Sequence, residues 1–393
     1  MTFTAAALCA AGAEKALSNE LRRLNKTGAA YTILESGYGR VRFTADLAGI
    51  YRALMALRCA DRVLLEAGRF HAADFDGLFE GSAAVRWEDY VPRGMGLKVS
   101  KVRSNRSRLK AETSIQASVH KAAAQRLCGK YSLNRLPEGR DIVQAELRVY
   151  IEKDEASVLL DLSGDPLFKR GYRREGGPAP LRETSAAAVI LLSGWKRKFP
   201  LYDPLCGSGT IVIEAALYAW NAAPGLGRRF AISHLALSSP ATEAAVRDEL
   251  AAVIDLDREI RIGGSDSDAS ALALAKQNLE YARRRIVSGG KDAAAGGAGG
   301  VSFTHIPLSE AKSELPRGFI ITNPPYGKRL GDSAAAEAGY RDMAALSKNF
   351  AGWKLAVICD HGGFESHFGK KSDSCRNFKN GALDTFLYEY EKL

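Results

Sequence analysis

The sequence is short of cysteine: six in 393 residues, at 9, 59, 128, 206, 359 and 375, no two closer than 16 positions. They form no CxxC pair and no Cys/His cluster, so neither a zinc site of the usual spacing nor a disulfide framework is expected. Reduced thiols in a cytoplasmic protein are the expectation. The six histidines contain no HExxH motif, so no metal and no Ser/His chemistry are expected. No apolar run reaches the roughly 18 residues that span a membrane. The opening Thr2–Ala13 lacks the basic flank of an export signal and reads as a first strand leading into a helix. An excess of acid is missing as well. Lys+Arg number 55 against 45 Asp+Glu, a net charge of +10, which permits a nucleic-acid partner without demanding one. With 46% apolar residues the chain can bury a large core, which excludes a disordered chain.

The first 165 residues alternate short strands and helices. Phe3–Leu8, Tyr31–Leu34, Val41–Phe43, Val63–Ala67, Leu97–Val102, Ile142–Tyr150 and Ser157–Leu162 read as strands. Leu17, Leu21 and Leu24 give one helix its apolar stripe; Ala45–Leu57 and Ser114–Leu127 fit two more. This is an α+β region of two small units. From about residue 185 alanine-rich helices alternate with short apolar strands at Leu201–Tyr202, Ile260–Gly263, Phe319–Thr322 and Lys354–Cys359. Such strands suit a parallel sheet covered on both faces. The glycine- and alanine-rich stretch 288–300 reads as a surface loop.

Three motifs carry chemistry. Asp203-Pro-Leu-Cys206-Gly207-Ser208-Gly209-Thr210 lies between a strand and a helix. Its glycines allow a tight turn and close approach of a ligand, and a helix N-terminus favours an anionic group. Asp266 and Asp268 stand where the next strand gives way to a helix. Asp268 suits a helix cap, which leaves Asp266 the better acceptor for ribose hydroxyls. Asn323-Pro324-Pro325-Tyr326 ends a buried strand. A tetrad of that type arises by chance in roughly one chain of this length in a hundred. The prolines fix the backbone. The Asn323 amide oxygen and the Pro324 carbonyl then offer two acceptors for the hydrogens of an exocyclic amine, and Tyr326 a face for stacking a base.

Charge is uneven. Residues 94–150 carry 12 Lys/Arg and four Asp/Glu; residues 166–200 carry eight and two. Within the first stretch Lys98, Lys101, Arg103, Arg106, Arg108 and Lys110 occur with no acid between them. Two such runs beside a domain junction point to a phosphate-binding surface.

The three motifs resemble the class I S-adenosylmethionine-dependent methyltransferases that act on amino groups. The wider chain is similar to the THUMP-domain RNA methyltransferases of the bacterial large-subunit rRNA guanine-N2 type. The stretches that carry this are DLSGDPLFKRGYRREGGPAPLRET (161–184), DPLCGSGTIVIEAA (203–216), GSDSDA (264–269), TNPPYGKRLGD (322–332) and KNGALDTFLYEY (379–390). The start, FTAAALCAAGAEKALSNEL (3–21), is similar too. The resemblance implies a ferredoxin-like piece and a THUMP domain (about 45–157) within residues 1–165, and a Rossmann-like methyltransferase domain over 166–393. Asp203, Cys206, Gly207, Ser208, Gly209 and Thr210 would line the methionine end of S-adenosylmethionine, with Thr184 near its carboxylate. Asp266, with Asp268 beside it, would hold the ribose. Asn323, Pro324, Pro325 and Tyr326 would hold the target base. The partner would be structured RNA, 23S rRNA or a precursor particle. Such families carry an acid after the third strand of the sheet; here Val301–Ser309 has none, so the cofactor's adenine would be met by backbone groups. An adenine-N6 DNA methyltransferase, a guanine-N2 tRNA methyltransferase and a non-catalytic RNA-binding assembly factor remain as alternatives. Oligomeric state is not legible.

Overall fold

The computed structural model describes residues 1–393 apart from 27, 29, 174–180, 288–299, 326–332 and 382, and omits the side chains of 287 and 333–335. The stretch 288–299 and Tyr326 therefore lie outside the described residues.

The first half builds one seven-stranded sheet from β1 (Phe3–Leu8), β2 (Thr32–Gly37), β3 (Arg40–Ala45), β4 (Arg62–His71), β5 (Gly96–Asn105), β6 (Gln144–Glu152) and β7 (Glu155–Asp161), ordered β2-β3-β1-β4-β7-β6-β5. The helices α1 (Glu14–Asn25), α2 (Leu47–Ala56), α3 (Phe75–Ala84) and α4 (Glu112–Tyr131) lie between these strands in the chain. The strands of the two expected units share one sheet. β4 pairs β1 along one side and β7 along the other, so the hydrogen-bonded ladder runs unbroken through both. The ten-residue length of β4, twice what its apolar core suggested, makes that possible. Alternation sets the faces: on β6 Ala145, Leu147, Val149 and Ile151 are buried, and the residues between them are half-exposed.

The second half forms another seven-stranded sheet. Its strands are β8 (Leu201–Asp203), β9 (Ile262–Asp266), β10 (Val301–His305), β11 (Phe319–Thr322), β12 (Lys354–Cys359), β13 (Ser374–Asn380) and β14 (Leu383–Tyr390). The order is β10-β9-β8-β11-β12-β14-β13, parallel from β10 to β12, with β14 antiparallel. The helices are α5 (Glu183–Leu192), α6 (Thr210–Ala219), α7 (Pro240–Ala252), α8 (Ala269–Val287), α9 (Ser333–Asp342), α10 (Leu346–Asn349) and α11 (Phe364–Phe368). This is the doubly wound α/β pattern that short apolar strands between helices imply. β9 runs three residues further than expected and contains Gly263 and Gly264. A Cβ on Gly264 would come within 2.8 Å of Cys206 Cβ, so the strand can pass the glycine-rich loop only without a side chain there.

The halves share a core. Thr184 Oγ1 donates to Asp61 Oδ1 at 2.5 Å, Arg58 Nη2 to the Ala222 carbonyl at 2.7 Å, and Lys379 N to the Ala11 carbonyl at 2.9 Å. Arg58 is fully buried, and burial pulls its guanidinium down to about 10. Among the described residues no helix is long and apolar enough to cross a membrane.

Candidate functional site

The described residues of the three motifs gather on the edge of the second sheet where its parallel strands end. β8 ends at Asp203, β9 at Asp266, β10 at His305, and β11 at Thr322 with Asn323 following. From β8 the chain moves outward to β9 and β10, then returns to β11 on the other side. That reversal leaves a crevice outside the strand ends, where α/β sheets take their ligands.

Asp203 is 2% exposed. Its Oδ1 accepts from Thr322 Oγ1 at 2.7 Å and from Leu205 N at 3.2 Å, so it ties β8 to β11 and shapes the turn. Burial pushes its carboxyl up to about 7, against the pull of those two hydrogen bonds; the charge of Asp266 adds a little. The folded pKa lies above the unfolded value of 3.8. Folded protein therefore holds a proton that the unfolded chain has lost, and stability falls as pH rises from about 4 to 7. Asp203→Asn keeps both hydrogen bonds without that loss. In urea titrations of cofactor-free protein it is expected to match the parent near pH 4 and exceed it at pH 8, by on the order of 3 kcal/mol. Equal stability at both pH values would contradict this.

The loop Cys206–Gly209 is held from three sides. Cys206 N donates to the Ser265 carbonyl at 2.9 Å, Gly207 N to Asp266 Oδ2 at 2.8 Å, and Asn278 Nδ2 on α8 to the Ser208 carbonyl at 3.1 Å. Gly207 and Gly209 have φ of +51° and +82°. A Cβ on Gly209 would meet Ala275 and Phe303 at 3.0 Å; one on Gly207 would meet nothing within 4 Å. Packing thus demands the second glycine, while the first presents bare backbone to open space, as a loop that accepts a ligand requires. Burial raises the Cys206 thiol, so it stays protonated and packs. α6 begins at Thr210, whose hydroxyl accepts from Arg173 Nη2 at 2.5 Å. Arg173 Nη1 also pairs with Glu183 at 3.6 Å, so it is chiefly the N–H groups of the first helical turn that favour a carboxylate here.

Asp266 and Asp268 separate in role. Asp266 spends one oxygen on Gly207 N and receives Asp268 N on the other at 3.0 Å. Asp268 Oδ1 accepts from Ser270 N, Ser270 Oγ and Ala271 N at 2.8, 2.6 and 3.3 Å. It is a cap, and those bonds hold its carboxyl below the usual range. Thr184 sits at the start of α5, buried, with its hydroxyl committed to Asp61. Beyond β9, His305 Nε2 lies 3.0 Å from the Ser267 carbonyl. Asn323 is half-buried, Pro324 buried and Pro325 exposed. Lys98, Lys101, Arg103, Arg106, Arg108 and Lys110 lie apart from this edge, on β5 and the turn after it, all exposed or half-exposed.

Sequence reasoning missed Thr322, Asn278, Arg173 and Asp61. Thr322 adjoins the Asn-Pro-Pro motif and was within reach; the others act across 70, 37 and 123 positions of chain. It also missed a His/Glu cluster: ligand atoms of Glu337, His361 and His367 lie within 4.8 Å of one another. Gly363 N donates to His361 Nδ1 at 3.1 Å, which leaves the ring proton on Nε2, facing Glu337 Oε1 at 3.8 Å. Arg341 Nη1 stands 3.5 Å from His367 Nδ1. A cation there would meet a ring N–H and a guanidinium, so the geometry is that of a polar cluster.

Comparison with known proteins bears on this arrangement. A family model described as the RMKL-like methyltransferase domain matches residues 170–389, and one described as the RlmL ferredoxin-like domain matches residues 4–64. The chain is 34% identical over 355 residues to YpsC of Bacillus subtilis (strain 168), named as a candidate RNA methyltransferase, a match covering 90% of this chain and 88% of that one. It is 32% identical over 395 residues to the ribosomal RNA large subunit methyltransferase K/L of Syntrophotalea carbinolica. That match covers 97% of this chain and 52% of the other, so the chain spans about half the length of that relative. The solved structure of SMU.472, described as a candidate methyltransferase complexed with SAH, has a TM-score of 0.85 at 34% identity, covering 100% of this chain and 98% of that one.

Proposed function

The chain belongs to the RMKL-like methyltransferase family, and from that membership we propose that it methylates the exocyclic N2 amine of a guanine in large-subunit ribosomal RNA. S-adenosylmethionine supplies an electrophilic methyl group on its sulfonium. The observation that carries the reading is the placement of Asn323-Pro324-Pro325 at the end of β11, next to the strand whose Asp203 begins the glycine-rich turn. An amine needs acceptors for its two hydrogens, and the Asn323 amide oxygen and Pro324 carbonyl supply them. Guanine N7 bears no hydrogen and would leave both unpaired, which argues for the amine. Holding both hydrogens turns the nitrogen lone pair toward the electrophile, and the proton can leave after attack, so no general base is needed beforehand.

For the donor, the first turn of α6 and Arg173 suit the carboxylate, Gly207 the close approach of the chain, and Asp266 the ribose hydroxyls. We assign residues 166–393 to this catalytic domain. Residues 1–165 are assigned to RNA binding, as a ferredoxin-like piece and a THUMP domain over about 45–157 within one sheet. The target base must leave its stack, at a cost of a few kcal/mol.

Purified protein with labelled methyl donor should transfer label to 23S rRNA or a precursor particle. Transfer to duplex DNA or to tRNA instead would replace this substrate. Absence of transfer to any nucleic acid would point to an assembly factor.

A further inference from the structure

The basic residues of the two halves meet in one place. Two rows of side chains cross the first sheet on the face that its core leaves half-exposed. Arg40, Leu8 and Arg62 stand side by side on β3, β1 and β4. Arg69, Ser157, Tyr150 and Arg103 stand in register on β4, β7, β6 and β5. Arg62 and Arg148 share the buried carboxylate of Asp161, at 2.5 and 3.3 Å. One carboxylate fixes two guanidiniums in position and leaves a positive charge over. The second half adds Arg182, just before α5, and Lys379, near the end of β13.

Between the halves Leu8, Arg40, Arg62, Arg103, Arg148, Tyr150, Arg182 and Lys379 line a groove of about 530 Å³. Among the described residues its walls carry six cations, Arg40, Arg62, Arg103, Arg148, Arg182 and Lys379, and the carboxylate of Asp61. Glu35, Asp161, Glu112 and Asp384 stand behind Arg40, the Arg62–Arg148 pair, Arg103 and Lys379, so a bound phosphate competes with these pairs. Aromatic rings alternate with the charges. Tyr150 and Phe168 are in the wall, and the Arg182 guanidinium lies 4.7 Å over the Phe168 ring. Tyr38, at the tip of the β2–β3 hairpin, lines the same groove and is 89% exposed. A duplex offers phosphates but keeps its base faces stacked inside; only an unpaired strand can use cations and aromatic faces together.

One wall of the groove lies at the same end of the second sheet as the Asn323 motif. β13 is antiparallel to β14 and β14 to β12, so β13 runs in the direction of the parallel strands. Cys359 at the end of β12 pairs with Phe386, which pairs with Asn377. Lys379 therefore stands at the same end of the sheet as Asn323, three strands across from β11.

We infer that this groove holds an unpaired stretch of RNA and leads it to the Asn323 edge, an inference that rests on the RNA methyltransferase reading above. The strand lays its phosphates along Arg40, Arg103, Arg182 and Lys379 and its bases against Tyr150 and Tyr38. The substrate is then a loop, bulge or strand end, not a regular helix.

The test is fluorescence anisotropy of the full chain with a labelled 12-nucleotide RNA, single-stranded and as a duplex of the same sequence, over a salt series. The single strand should bind at least about tenfold tighter. Arg103→Ala and Lys379→Ala, at side chains 64% and 53% exposed, should each reduce the salt slope by about 0.7. Tyr150→Ala should cost about fivefold or more, with a Tm close to the parent's. Arg284→Ala, at a side chain 71% exposed on α8 and outside the groove, should bind as the parent does. Duplex bound as tightly as single strand, or groove variants that bind and depend on salt like the parent, would overturn the inference. RNA methylated equally well by the groove variants would sink the groove alone. Groove-dependent binding with no methyl transfer to any RNA would sink the methyltransferase reading and leave the groove.

Discussion

Asn323→Ala is expected to lower kcat for methyl transfer by about a thousandfold while leaving cofactor affinity within about twofold. The side chain follows β11 directly, and β11 is anchored through Thr322 to Asp203 at 2.7 Å. Removing the amide takes away an acceptor for the amine and leaves the turn intact, because the prolines after it still set the backbone. The loss should fall on the chemical step rather than on assembly of the site. Asn323→Asp keeps an acceptor oxygen and should retain more activity than the alanine variant. Isothermal titration with the cofactor product separates the effects. If Asn323→Ala lost cofactor binding as fully as activity, Asn323 would be a structural residue. If it transferred methyl groups like the parent, the amine-holding role would be wrong.

Asp266→Ala is expected to raise the cofactor Kd by on the order of a hundredfold, seen as a rise in KM with a smaller change in kcat. Two losses combine. The carboxylate fixes Gly207 N at 2.8 Å and so holds the open side of the glycine-rich loop. In the proposed site it is also the acceptor offered to the ribose hydroxyls. A hydrogen bond to a charged group contributes roughly 1.5–3 kcal/mol, and tenfold in affinity is about 1.4 kcal/mol. Asp268→Ala is the informative neighbour. Its carboxylate caps α8, so this change should lower the thermal midpoint slightly and leave Kd nearly unmoved. Equal effects on Kd from both changes would mean that Asp268 also meets the ligand.

The comparison of sequence with structure shows why one kind of residue could be read directly and another could not. A doubly wound sheet delivers its chemistry at strand ends, and each strand end is a short contiguous stretch. Asp203–Thr210, Asp266–Asp268 and Asn323–Pro325 were therefore visible as motifs, and the sheet brings them to one edge. What steadies them is not contiguous. Asn278 reaches Ser208 from the middle of α8, and Arg173 reaches Thr210 from before α5. Thr184 was placed beside a cofactor carboxylate on resemblance; its hydroxyl turns to Asp61 in the first sheet.

The same reason governs the basic surface. The run Lys98–Lys110 stood out because its charges are consecutive. Of that run only Arg103 lines the seam groove, beside Arg40, Arg62, Arg148, Arg182 and Lys379, which are distant in the chain and brought together by the fold. The single sheet of the first half was hidden for a related reason. A strand's pairing on both sides leaves no mark on its own sequence, and β4 reads the same whether it closes one unit or links two.

Nucleoside mass spectrometry of 23S rRNA from cells with and without the gene tests the central claim most directly. The account predicts that deletion removes one N2-methylguanosine and that the wild-type gene, but not Asn323→Ala, restores it. An unchanged N2-methylguanosine content, or loss of a different methylated nucleoside in its place, would contradict it.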